Sequence, residues 1–104
     1  MNCVVITGRF TSNPELHTTK DGKQWTRFTI AVPTSRVKNI PPDFIRCAAW
    51  GDVALFICGN FQKGKKIEIK GELRSNEIGN GDDRRTTTEV HVEQAYYGEK
   101  KSQE

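Results

Sequence analysis

From Phe44 to Trp50 the chain reads Phe-Ile-Arg-Cys-Ala-Ala-Trp, a spacing of residue types suited to binding rather than catalysis. In an extended strand alternate side chains point to opposite faces, so Phe44, Arg46, Ala48 and Trp50 share one side and Ile45, Cys47 and Ala49 the other. The second set makes a small apolar core face. The first sets a guanidinium between two aromatic rings, which suits a ligand that is flat and negatively charged. Bases stacked along a phosphate backbone have both properties. The alternative is that Phe44 and Trp50 pack beneath a loop or a neighbouring subunit.

Cations gather around this segment in sequence. Arg36 and Lys38 precede it, Lys63, Lys65 and Lys66 follow a helical stretch, Arg74 ends a strand, and Arg84 and Arg85 sit in a late hairpin. Singly each reads as a solvated residue, but together they are expected to border the face carrying Phe44, Arg46 and Trp50, as in sequence-tolerant single-strand binding. Glu68, Glu72, Glu89 and Glu93 are expected on strand faces away from it.

Catalytic constellations are thin by comparison. His17 and His91 have no Cys, Asp or Glu nearby in a ligand spacing. The glycines around Lys63 lack phosphate-loop spacing, and Ser12, Ser35, Ser75 and Ser102 have no nucleophile-elbow context. The chain is therefore read as non-enzymatic, with no catalytic residue, no metal and no cofactor. The cysteines Cys3, Cys47 and Cys58 lie among apolar neighbours without a CxxC spacing and read as reduced core residues, a metal or redox role being the lesser alternative.

At 104 residues the chain suits one domain with a single core, and its net charge of +3 permits an anionic partner without requiring one. No apolar run approaches a membrane span, and the start Met1-Asn2-Cys3-Val4 has no export signal pattern. A cytoplasmic, nucleoid-associated location and no membrane partner are expected.

The elements that must position these residues follow from alternation and turn signals. Val4, Ile6, Gly8 and Phe10 form the inward side of a first strand that ends at Ser12-Asn13-Pro14. Residues 18–22 make a polar hairpin tip, and residues 23–32 a second strand with Phe28, Ile30 and Val32 in one parity. Trp25 falls on the other parity. It either faces outward or is returned to the core by a bulge before Phe28, the preferred reading. Residues 33–42 form a loop, and residues 44–50 the third strand. Asp52 is expected to N-cap a short helix carrying Val53, Phe56, Ile57 and Asn60, although Gly59 disfavours its last turn. Ile67, Ile69, Gly71 and Leu73 then alternate with Glu68, Lys70, Glu72 and Arg74 as a half-buried strand. Residues 76–84 read as a turn-rich connection. Residues 86–94 read as the last strand, with Val90 and Val92 inward, and residues 98–104 as a polar C-terminal tail that frays.

Three strands, a helix and two further strands is the order of an all-β OB-fold, a five-stranded Greek-key barrel with one short helix between strands 3 and 4. The expected domain spans residues 1–97.

Several segments in this order resemble the bacterial single-stranded DNA-binding proteins. They are Asn2 to Phe10, Asn13-Pro14-Glu15-Leu16, Phe28-Thr29-Ile30-Ala31-Val32, Asp43 to Gly51, Ala54, Lys63-Gly64, Ile69 to Arg74 and Thr88-Glu89-Val90, in register from about Met1 to Gln94. The resemblance implies an OB barrel that assembles into a homotetramer and wraps single-stranded DNA, in replication, recombination and repair. It implies stacking by Phe44 and Trp50 and contacts from Arg46, Lys63 and Arg74; Lys38, Arg84 and Arg85 are added by the distribution of cations alone. Two further aromatic positions of the family fall on Arg36, whose planar guanidinium can stack, and on Ile78, which offers apolar contact.

The family usually continues into a flexible tail with an acidic, phenylalanine-tipped end, whereas this sequence stops at Ser102-Gln103-Glu104. It reads as either a truncated chain or a short variant of the kind phages and mobile elements carry, with no acidic-tail docking of repair enzymes. Self-association is expected through the apolar first strand, as a tetramer or possible dimer. An OB module of the primosomal accessory type, with fewer stacking aromatics and a dimeric habit, is the alternative.

Overall fold

The computed structural model describes residues 1–34 and 39–99. Its strands are β1 (Val4–Phe10), β2 (His17–Thr18), β3 (Gln24–Val32), β4 (Asp43–Trp50), β5 (Lys66–Ile78) and β6 (Arg85–Tyr97), with helix α1 (Gly51–Asn60) between β4 and β5. They hydrogen-bond in the order β1-β5-β6-β4-β3-β2, and a further β1–β3 pairing closes the five long strands into a barrel. The sixth strand beyond the expected five is β2, two residues long, which pairs with β3 across the hairpin tip.

All adjacent pairs are antiparallel except β4 and β6, which run parallel through only Cys47↔Val90 and Ala48↔His91. Closure on the other side is equally brief, through Arg9↔Ala31 and Phe10↔Ile30.

Inward parity fills the barrel as alternation requires. Ile30, Ile67, Ile69 and Ile57 have no exposed surface, and Phe10 packs on Phe28 and Phe61 with ring centroids 4.9 and 5.4 Å apart. Ala54 and Ile57 of α1 join this core, with Val53 and Phe56 packed at its edge. The helix begins two residues earlier than expected: Trp50, in extended conformation, is its N-cap and makes no side-chain capping hydrogen bond, while Asp52 lies in the first turn. Gly51 takes a φ of 61°, which favours glycine and lets the chain turn sharply from β4 into α1. Gly59 does not end the helix, which continues to Asn60, whose amide donates to the Phe56 carbonyl at 2.8 Å.

Trp25 corrects the preferred reading. β3 and β4 stay in unbroken register from Trp25↔Trp50 to Val32↔Asp43, with no bulge. The core position goes to Thr26, fully buried, its hydroxyl donating to the Glu15 carbonyl at 2.8 Å. A hydrogen-bonded threonine can be buried without leaving a polar group unpaired, so Trp25 remains on the outer face. Cys47 is buried, which pushes its thiol up to about 12 with Glu89 adding to the effect. Cys58 is half-buried, but Cys3 is exposed and not a core residue.

β5 and β6 outrun their expected limits because their backbones keep pairing to Ile78↔Arg85, leaving a tip around the 3₁₀ turn Gly81–Asp83. Their register shifts at Lys70/Gly71. A Cβ on Gly71 would lie 2.0 Å from the His91 carbonyl oxygen, so only glycine admits this approach. The hairpin leaves the barrel only past Leu73↔Val90, where Val90 is still buried at 1% but Leu73, expected inward, is 48% exposed. Past Tyr97 the chain is still held, Gly98 N–H donating to the Lys66 carbonyl and Glu99 pairing with Arg9 at 3.4 Å.

Ile69→Ala is expected to lower unfolding stability by roughly 2 to 5 kcal/mol, by loss of burial and a residual cavity. Gly71→Ala should cost about 1 to 3 kcal/mol by forcing β5 and β6 apart, both read from denaturant unfolding. An unchanged Gly71→Ala midpoint would refute the close approach.

Candidate nucleic-acid interface

The parity that buries Thr26, Phe28, Cys47, Ala49 and Val90 sends Trp25, Arg27, Phe44, Arg46, Trp50, Glu89 and His91 to the outer face of β3, β4 and β6. Phe44 is 64% and Trp50 42% exposed. Six residues apart on one strand, they are separated by about 20 Å, with exposed Arg46 between them. Two large apolar rings standing in water on one strand have no role in this chain's own core. Ala48, expected to share their exposure, is instead fully covered. In register it lies between Arg27 and His91, whose longer side chains flank its methyl group.

Glu89 is the largest departure from expectation. It is not on a remote face but buried at the centre of this one, at 7% exposure. Arg27 Nε donates to its Oε2 at 3.2 Å, while Asn76 Nδ2 and His91 Nε2 donate to Oε1 at 3.1 and 2.9 Å. Burial pushes the carboxyl up, but the bonds from His91 and Arg27 and the Arg27 charge outweigh it and hold Glu89 below its usual range. A satisfied buried carboxylate ties three strands together. Glu72 also lies on this side, opposite His91, and pairs with Arg74 at 3.2 Å.

Where β4 and β6 separate, a cleft of about 340 Å³ opens between Phe44 and Arg46 on one wall and Leu73, Thr86 and Thr88 on the other. A second groove of about 210 Å³ runs past Ser12, Arg27, Thr29 and Arg46. Arg46 and Glu89 border both.

The structure brings Phe44, Arg46 and Trp50 together on this face and sets Arg74, Ile78 and Arg85 on the same side of the projecting hairpin. Ile78 is 56% exposed. Arg84 is at the hairpin tip, bound to Glu77 at 2.7 Å. Among the described residues Arg46, Lys63 and Arg85 are in no ion pair. Lys63 follows the helix, its backbone N–H bonded to Asn13 beside Ser12 of the groove. Lys66 instead continues the cross-strand row Phe44, Ala31, Arg9 to the barrel's other side, where its N–H donates to Glu99. Arg36 and Lys38 lie outside the described residues.

Trp25, Arg27, Asn76 and His91 were not among the expected site residues. Their outward parity was readable, but their convergence depends on a register between strands distant in sequence. Among the described residues no group of three or more His, Cys, Asp or Glu is placed to hold a metal, and no helix is long and apolar enough to cross a membrane.

Known proteins share this arrangement of sequence. The single-stranded DNA-binding protein of Fusobacterium nucleatum is 39% identical over 98% of this chain and 70% of its own length. That of Clostridium perfringens is 38% identical over 89% of this chain and 63% of its own. Single-stranded DNA-binding protein A of Bacillus subtilis is 32% identical over 98% of this chain, which spans 62% of that relative. The pattern of the Single-strand binding protein family matches residues 1–97, all six strands and the helix included, and the chain belongs to that family.

Proposed function

We propose that this chain binds single-stranded DNA with little sequence preference, stacking bases on Phe44 and Trp50 and meeting phosphates with Arg46, Lys63, Arg74, Arg85 and, in the segment outside the described residues, Arg36 and Lys38. The observation that carries this reading is the pair of exposed rings flanking Arg46, which is in no ion pair among the described residues, on a chain of this family. Every base has a π-face, and pairing hides it, so stacking favours unpaired strands without reading sequence. Ile78 adds apolar contact from the hairpin, and Arg84 can contribute by exchanging Glu77 for phosphate. Residues 1–97 act as the binding domain, with residues 98–104 outside it. Protection of single strands in the cytoplasm during replication, recombination and repair is the role this activity serves.

Self-association belongs to the same reading. Among the described residues Val4 to Thr7 of β1 pair only with β5, which leaves their opposite backbone edge open, and Val5 is 63% exposed beside it. An open edge with apolar flanks favours pairing with a second copy. The expected assembly is a homotetramer.

Fluorescence anisotropy should show tight binding to single strands and far weaker binding to duplex, with affinity falling on a log-log salt plot by about 0.7 per phosphate contact. Equal affinities in one buffer would refute the proposal. Trp50→Ala and Phe44→Ala should each lose about 1 to 3 kcal/mol of binding with the unfolding midpoint retained. If Trp50→Ala melts the protein without a specific binding defect, Trp50 is structural. Light scattering should give a tetramer. A dimer would favour the accessory-protein alternative, and a monomer at all concentrations would exclude assembly.

A further inference from the structure

Trp25 is a large ring on the outer face of β3, half-buried and outside the core. Its partners in register are His17 on one side and Trp50 on the other. The His17 ring stacks on Trp25 with centroids 4.5 Å apart and planes at 26°, while His91 meets Trp50 edge-on at 4.7 Å. Rings from β2, β3, β4 and β6 thus form one row across the sheet. Strand spacing sets neighbouring rings within such a row about 4.8 Å apart, near the centroid separation of packed aromatic groups.

A cation is fixed beside this row. The Arg27 guanidinium carbon lies 5.3 Å from the Trp25 ring centre, and its Nε is held by Glu89. Beyond Trp25 the row ends on exposed His17, next to a hairpin turn that carries exposed Lys20 and Lys23 around Asp21. Flat rings with flanking positive charge suit an unpaired nucleotide, the base against the rings and the phosphate toward the cations.

We propose that Trp25 and His17 form a further base-stacking position, which carries a bound single strand sideways past Trp50 onto the β2–β3 hairpin. This rests on the proposed single-strand binding and adds a site to it. The rival role for Trp25 is a brace that supports the hairpin and Trp50 without touching DNA.

The chain has two tryptophans, so Trp50→Phe leaves Trp25 as the sole indole. This variant is titrated with oligothymidylate while Trp25 emission and the anisotropy of a labelled oligonucleotide are followed together. Quenching of Trp25 in step with binding is expected. In the otherwise native chain, Trp25→Leu should weaken binding by about 5- to 100-fold, and His17→Ala, at an exposed position, should weaken it in the same direction. Binding by anisotropy without any change in Trp25 emission would overturn the proposal and leave the single-strand reading intact. If Trp50→Phe binds too weakly to titrate or Trp25→Leu does not fold, His17→Ala decides, and native affinity there overturns it. No binding by the native chain would instead sink the proposed function itself.

Discussion

The parallel contact between β4 and β6 is two residue pairs long, and the rest of the molecule is arranged around it. Parallel strands need a long crossover between them, here supplied by α1 and β5, so the contact joins residues as distant in sequence as Cys47 and Val90. Small side chains suit that place. Ala48 and Ala49 are both fully buried, one on each face of β4. On the inner side the contact brings Cys47 and Val90 into one core. On the outer side it sets Trp50 against His91 and lets Glu89 reach Arg27 on a third strand. Just before it, β4 and β6 diverge and the cleft beside Phe44 and Arg46 opens.

Stability and the proposed binding are thereby divided by parity along the same strands. Inward residues such as Ile30 and Cys47 hold the barrel, and their immediate neighbours Ala31 and Arg46 face outward. Glu89 is the exception, an outward residue with a structural task. It would repel phosphate if free, but with hydrogen bonds from Arg27, Asn76 and His91 its charge is largely neutralised locally. The cluster orders the face at little cost in net negative potential.

Much of this was legible from alternation. The segment from Phe44 to Trp50 and the run Ile67, Ile69, Gly71 follow period-2 patterning so closely that face and parity could be assigned without a structure. Trp25 could not, because a hydropathy pattern treats Thr26 as polar and so misses that one hydrogen bond to Glu15 makes it a core residue. Glu89 was misplaced for a related reason: its burial is set by groups on β3 and β5, more than ten residues away in sequence. The polar run from Asn76 to Arg84 resembles a loop in composition, yet backbone pairing carries β5 into it as far as Ile78, opposite Arg85. Strand existence was local information, whereas register, and with it the company each side chain keeps, was not.

The β5–β6 hairpin beyond Gly71 has mechanical consequences. From Leu73 to Ile78 it extends about 17 Å past its last core-facing pair, and a two-stranded ribbon resists bending poorly by itself. Its root is stiff, since Gly71 packs against the His91 carbonyl with no room for even a methyl group. With a stiff root and a compliant arm, a bend of about 10° just past Leu73 moves Ile78 and Arg85 by about 3 Å, scaled by the strand rise. The tip can therefore follow the contour of whatever lies across the face while the barrel that carries it stays rigid.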